Sequence, residues 1–421
     1  MRPAEIRALL TLERPEWNPT RRRLRRCYQT ADLRALARRR MPRAVFDYVE
    51  GGADEELSLA WNLAAFRQWE LVPMHPNDVS SADPSTTLFG RSSELPLICA
   101  PTGYTRMMHP DGERAVARAA ARAGVPYALS TVASTSVEDV AVTGHPDLWF
   151  QLYVWRDRGV SRELVGRAWA AGCRALEVSI DVPVAGFRVR DVRNGLTIPP
   201  RLSASALLGI ALKPAYWVGM LRSPAITFAN SPPGVAGSDG ITIENMTAQF
   251  DASLTWEDVA QLREQWPGTL IVKGPLGPRG AREAVAAGAD GLHLSNHGGR
   301  QLDRIAPPVE LLSEVREAVG DRTTIIVDSG IRHGIDLAIA IALGADAGAI
   351  GRAYLYGLMA AGEPGVDHVL GLLASEFKRA LQLLGVASVA ELRTAGANLL
   401  RGSGMRDVFS SGGLAGRDAS G

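Results

Sequence analysis

Eight short apolar runs, separated by helical or loop-rich stretches, divide residues 96–350 into repeating units. They are Pro96–Pro101, Tyr127–Ser130, Leu148–Val154, Ala175–Val182, Thr269–Lys273, Gly291–Ser295, Thr324–Asp328 and Ala347–Ile350. Between them, Gly112–Ala123, Arg162–Ala171 and Arg279–Ala287 set Ala, Arg and Glu at helical spacing. Strands alternating with helices imply a parallel sheet. Eight units of this size predict an α/β fold, a (β/α)8 TIM barrel over about 95–385. A doubly wound open sheet is the competing arrangement. The barrel is favoured because the chemically suggestive residues fall at the C-terminal ends of the runs, where barrels build their sites.

Two segments fall outside the repeat. Thr30–Phe66 reads as N-terminal helices, over about 30–70, packed beside the barrel. Leu202–Phe250 is a long insertion after the fourth strand, with Tyr216, Trp217, Met220, Leu221 and Phe228 ahead of a Ser/Pro/Gly-rich part, Ser231–Gly240. A loop of this length is usually functional or mobile. The 421 residues are read as one domain.

Composition narrows the function. A formal net charge of +1 argues against a nucleic-acid partner. Cys27, Cys99 and Cys173 lack paired spacing, so neither a disulfide framework nor a metal site is implied, which fits a reducing cytoplasm. Met1–Arg26 is arginine-rich and has no apolar centre of the kind a signal peptide carries. No apolar run is long enough to span a membrane.

The sixth run leads into L-S-N-H-G-G-R-Q-L-D (Leu294–Asp303). It sets His297 and Arg300 three residues apart on a turn whose Gly298 and Gly299 permit close backbone approach. A base beside a cation suits a carboxylate substrate with a proton to lose. The alternative for His297 is a loop-capping histidine. Asp181, ending the fourth run, could orient that imidazole as a triad aspartate does, or could simply be a turn residue before Pro183. Arg188 in G-F-R-V-R-D could join Arg300 in clamping a carboxylate, or lie on a solvated loop; Arg190 reads as structural. Tyr153 and Tyr48 offer phenols for a substrate oxygen, with core tyrosines as the plain alternative.

A second constellation points to phosphate. The seventh run leads into D-S-G-I-R (Asp328–Arg332) and the eighth into I-G-R (Ile350–Arg352). Loops after strands seven and eight are where barrels hold phosphate. There Gly330 and Gly351 allow backbone approach, and Arg332 and Arg352 supply charge. No dinucleotide-binding or Walker glycine loop follows a strand. Lys273 ends the fifth run and aims a cation at the barrel mouth. An electron-rich flavin edge would suit it, and a Schiff-base role is the alternative.

Ser295–Asp303, Asp328–Arg332, Ile350–Arg352, F-Q-L-Y (Phe150–Tyr153) and S-I-D-V-P (Ser179–Pro183) together resemble the FMN-dependent α-hydroxy acid dehydrogenase/oxidase family. The likeness runs from about Thr30 to Arg393. Arg14–Trp17, Val45–Tyr48 and Pro183–Gly195 add a likeness to its actinobacterial quinone-linked L-lactate dehydrogenases. The resemblance implies His297 as base, Asp181 as its partner, Arg300, Arg188 and Tyr48 on the substrate carboxylate, and Tyr153 on its hydroxyl. For FMN it implies Lys273 near the N1 edge and Ser130, Gln151 and Ser179 around the pyrimidine, with Ser295 and Asp328 also in the cofactor site. Gly330, Arg332, Gly351 and Arg352 would hold the phosphate. Gly103, facing flavin N5, stands where the family's oxidases usually carry alanine, and Val132 replaces glycolate oxidase's tryptophan. Both lean toward a dehydrogenase.

The implied reaction oxidises an (S)-2-hydroxy acid, most simply L-lactate, with quinone as acceptor. The alternatives are an oxygen-using oxidase and an enzyme of an aromatic hydroxy acid or modified peptide. The resemblance also implies a homo-oligomer, a tetramer. The apolar part of the insertion and the basic run Arg21–Arg26 could rest peripherally on the inner face of the cell membrane.

Overall fold

A computed structural model of the chain describes residues 16–195, 209, 211–231 and 248–402. Each of the eight runs gives rise to one strand, the fifth extending a residue past its run: β1 (Leu97–Cys99), β2 (Tyr127–Ser130), β3 (Leu148–Leu152), β4 (Ala175–Ser179), β5 (Thr269–Gly274), β6 (Gly291–Leu294), β7 (Thr324–Val327) and β8 (Ala347–Ile350). They pair in parallel and in chain order, and β6 on β7 completes a closed barrel. The open sheet is thereby excluded. Several strands stop short of their runs. Pro101, Tyr153 and Asp181 lie beyond the strand ends, on loops at the mouth.

Alternation along the strands builds two different surfaces. Outward residues such as Leu129, Phe150, Leu176, Val178, Leu270, Val272, Leu292 and Val327 pack against the surrounding helices. Inward residues change character with height. At the floor Ile98, Ala128, Trp149, Ala175, Ile271, Ile326 and Ala347 form a separate apolar plug, with Leu88 and Phe89 set into it. These last two come from a hairpin, Thr86–Leu88 paired with Arg91–Ser93, which closes the barrel from below. Phe89 meets Trp149 edge-on, with ring centroids 5.7 Å apart. One step higher the inward residues are polar, and the mouth is built on that layer.

The N-terminal region is helical, as expected: Thr30–Arg40, Arg43–Glu50 and Leu57–Arg67, preceded by a short helix at Pro19–Leu24. Two contacts tie it to the loop after β6. Asp303 accepts the backbone N–H groups of Glu55, Leu57 and Ser58, satisfying the free donors at the start of Leu57–Arg67. Asn62 and Asn296 exchange amide hydrogen bonds at 2.9 and 2.7 Å in the interior. The insertion is described at 209, 211–231 and 248–250; its other residues, including most of Ser231–Gly240, lie outside the described residues. Within it the helix Pro214–Leu221 rests on the loop after β1, Tyr216 donating to the carbonyl of Met107 at 3.0 Å. Among the described residues, no helix is long and apolar enough to cross a membrane.

Candidate active site

A cavity of about 1300 Å³, counting its open mouth, lies at the C-terminal ends of the strands. Of the residues singled out from sequence, Tyr48, Gly103, Tyr153, Arg188, Lys273, His297, Arg300, Asp328, Gly330, Arg332, Gly351 and Arg352 line it. Asp181 stands behind His297, and Ser130, Gln151, Ser179 and Ser295 form the layer beneath.

His297 is held from three sides. Its Nδ1 meets Oδ2 of Asp181 at 2.9 Å, and its backbone N–H donates to Oγ of Ser295 at 3.0 Å. Its Nε2 lies 3.2 Å from the hydroxyl of Tyr153, on the cavity side. Burial pushes the Asp181 carboxyl upward, but the charge and hydrogen bond of His297 outweigh this and hold it below the usual carboxylate value. Burial, with the Asp181 charge second, keeps Tyr153 a neutral phenol far above its ordinary range. The imidazole is therefore oriented from behind and open in front, the arrangement a general base requires.

The turn that delivers it needs glycine. Gly299 has φ +72°, and a Cβ there would sit 2.7 Å from the backbone nitrogen of Leu59. Arg300 follows, donating Nη1 to the carbonyls of Tyr48 and Gly51 at 2.5 and 3.1 Å, with its Cζ 4.9 Å above the Tyr48 ring. Arg188 is braced by Asp191 at 2.8 Å. Burial first, and the charge of Arg188 second, depress the pKa of Arg300. Burial, then Arg300, bring Arg352 down to about 9. Partly buried cations that repel one another across a cavity make it a receptor for anions. Arg190 pairs with Glu56 and Asp47, the structural role expected of it.

The polar layer is continuous. Ser130 donates to Gln151 Oε1 at 3.0 Å, and Gln151 Nε2 donates to Ser179 Oγ at 3.1 Å. Lys273 donates to Ser295 Oγ at 2.9 Å and lies 3.9 Å from Asp328. Burial disfavours its charge, yet Asp328, Asp181 and Glu177 outweigh burial and raise its pKa. At the far end Arg332 lines the cavity beside Gly330 and Gly351, and Gly351 precedes the helix Arg352–Ala361. The side chain of Arg352 borders the same cavity and also has a bracing role. Its three nitrogens donate to the carbonyls of Val49, Gly298 and Gly51 at 2.8, 2.9 and 2.7 Å, so its guanidinium braces the loops. This donor set fits FMN: amide and hydroxyl groups for a pyrimidine, an ammonium for its anionic edge, and Arg332 with a helix start for phosphate.

Sequence reasoning missed two charged residues of this interior, Glu177 and His293, which lie under the polar layer on β4 and β6. The signal was present. Each is the single ionisable side chain within a strand otherwise made of apolar or small residues, and each faces inward by alternation.

Fold and site together define a class, a barrel oxidoreductase that works with a bound flavin. The chain belongs to the FMN-dependent dehydrogenase family, whose model matches residues 37–398. A relative from Mycobacterium tuberculosis is 45% identical over 394 residues, covering 93% of this chain and 94% of its own. The L-lactate dehydrogenase of Caulobacter vibrioides is 44% identical over 367 residues, covering 86% of this chain and 95% of that protein. The solved structure of the monotopic membrane protein (S)-mandelate dehydrogenase superposes with a TM-score of 0.84 at 38% identity, over 90% of this chain and 100% of that one. FMN is the cofactor that family membership assigns.

Proposed function

We propose that the protein oxidises an (S)-2-hydroxy acid, with L-lactate as the preferred substrate, giving the 2-oxo acid. One observation carries this reading: a carboxylate-backed imidazole and the Arg300 and Arg188 guanidinium groups border the same cavity. The arginines bind the substrate carboxylate and relieve their own repulsion, a charge-assisted contact stronger than a neutral one. Tyr48 lies against Arg300 and completes that clamp. Tyr153 holds the hydroxyl, and His297 Nε2 takes a proton as the substrate is oxidised. Asp181 stabilises the imidazolium that results. Bound FMN supplies the two-electron acceptor. Lys273, the Ser130–Gln151–Ser179 chain, Ser295 and Asp328 would hold its ring system, and Arg332, Gly330, Gly351 and Arg352 its phosphate.

His297→Gln tests the base. The variant is expected to stay yellow with FMN and to lose at least about 100-fold in flavin reduction by L-lactate, as removal of a general base does. Wild-type rates of anaerobic bleaching in this variant would remove His297 from the role.

A second substrate reading has its own observation. The cavity wall is aromatic beyond what a methyl group needs. Tyr104 and Phe228 meet edge-on at 4.5 Å, and Phe250 stacks on Tyr153 at 4.7 Å. An aromatic 2-hydroxy acid would fill that wall. Comparing kcat/KM for L-lactate and (S)-mandelate separates the two readings.

The acceptor reading rests on the outer face. Lys213, just before Pro214–Leu221, donates to the carbonyl of Arg39 at 2.5 Å, next to the basic helix end Arg38–Arg40. The same region presents Leu212 and Leu221 at 68% and 78% exposure, with Trp217 partly exposed. Apolar side chains beside basic ones suit the surface of an anionic bilayer. We infer peripheral membrane contact there, with quinone as the electron acceptor.

A further inference from the structure

Beneath the site the barrel holds a charged pair that the reaction above does not use. Glu177 and His293 point inward beneath the polar layer, and neither is exposed (0% each). They meet at 2.8 Å through Oε2 and Nδ1. The other ring nitrogen, Nε2, lies 3.3 Å from Oδ2 of Asp328. That same oxygen stands 3.9 Å from Nζ of Lys273. Lys273 and His293 are register partners on adjacent strands, so two cations flank one carboxylate. Under them is the apolar plug of Trp149, Ile271 and Ile326. Lys273 and Asp328 line the cavity, and the Glu177–His293 pair is sealed behind them.

Stability is a poor reason for such a pair. Two charges removed from water regain their lost hydration only through good geometry, and apolar residues of similar volume often replace them without loss. Burial opposes the charge on His293, but Glu177 and Asp328 outweigh it and raise its pKa to about 9, so the ring is an imidazolium at neutral pH. The pair is then a fixed dipole with its positive end on Asp328. A carboxylate shared between two cations neutralises each of them less than it would neutralise one alone.

We propose that Glu177 and His293 are positioning residues: by engaging Asp328 from below, they leave the Lys273 ammonium with net positive charge toward the cavity, where it favours reduced over oxidised FMN. This rests on the reading of Lys273 as the cation at the flavin edge.

The test is the FMN reduction potential of purified holoprotein at pH 7, measured by dye-equilibrated titration in three forms: unaltered, Glu177→Gln and Lys273→Met. Glu177→Gln keeps the shape and removes the counter-charge, so His293 titrates lower and Asp328 turns to Lys273 alone. Reduced FMN is then expected to bind about tenfold more weakly relative to oxidised FMN, a fall of about 30 mV for a two-electron couple. Lys273→Met is expected to lower the potential at least as far. A fall in Lys273→Met with none in Glu177→Gln overturns this inference and leaves the flavin-edge reading standing. No fall in Lys273→Met overturns both.

Should Glu177→Gln fail to fold, the unaltered holoprotein decides. His293 is faced by Glu177 from β4, Lys273 from β5 and Asp328 just after β7. Its proton is held more tightly when the flavin is reduced. The potential should therefore fall more steeply with pH in the region around 9 than below it. A slope that does not change there overturns the proposal.

Discussion

His297 adopts φ +59°, a left-handed conformation uncommon outside glycine, though histidine enters it more often than most residues. Such a backbone costs on the order of 1–3 kcal/mol and persists where its surroundings over-determine it. Here Asp181, Ser295 and the flanking Gly298 supply that support, so the ring is placed before any substrate arrives. Gly103 shows the opposite device, a missing side chain. A Cβ there would stand 2.5 Å from Cγ2 of Val132. The contact is with a stiff β-branched side chain. Gly103→Ala should therefore lower stability by about 1–3 kcal/mol through overpacking, read as a shifted urea midpoint. Adding Val132→Ala should restore most of it. A Gly103→Ala protein with an unchanged midpoint would mean that this loop yields freely. Residue types and spacing made the grouping of His297, Asp181, Arg188 and Arg300 legible in advance. Side-chain direction was not legible, because the carbonyls that Arg352 braces come from residues 49, 51 and 298, all distant from it in the chain.

The strands were legible because each is an apolar run bounded by polar or turn residues, and the barrel because there are eight of them. The floor hairpin was not, since strands of three residues carry too little alternation to stand out. Its contribution is nonetheless specific. Phe89 reaches up to Trp149, and its ring lies against Gly291, where a Cβ would come within 2.6 Å of it. Phe89→Ala should cost about 2–3 kcal/mol, less than a fully buried phenylalanine, while the mouth and its turnover stay intact in the folded fraction. Thermal denaturation with activity assayed well below the transition checks both halves. The helix Pro214–Leu221 plays a different part, adding an apolar outer surface beside the mouth. Leu212→Glu combined with Leu221→Glu should release the protein from anionic vesicles and leave turnover with a soluble dye unchanged. Equal vesicle binding by this variant would sink the membrane reading.

Across the molecule, buried ionisable groups couple the fold to pH in opposing directions. The folded pKa of His293 is raised to about 9, so its stabilisation is complete below the unfolded value of about 6.5 and is lost as pH climbs through 9. Burial lowers His145 to about 4, so its contribution is present above about 6.5 and is lost as pH falls through 4. Asp181 and Asp328 are held below the ordinary carboxylate value despite burial, Asp181 chiefly by His297 and Asp328 by Lys273 and His293. Their stabilisation is complete above about 4 and disappears on further acidification. Two histidines in the same fold thus set opposite limbs, and the carboxylates steepen the acid one. The melting temperature should peak near about pH 6.5, fall gently toward 9, and fall sharply below about 4. A Glu177→Gln variant should lose most of the alkaline limb, because its His293 no longer gains a proton on folding, while the upward shift at His333 remains. Melting curves recorded from about pH 3 to about pH 10 decide the matter: a plateau that runs unbroken past 9 in the unaltered protein would mean that His293 is neutral in the folded state.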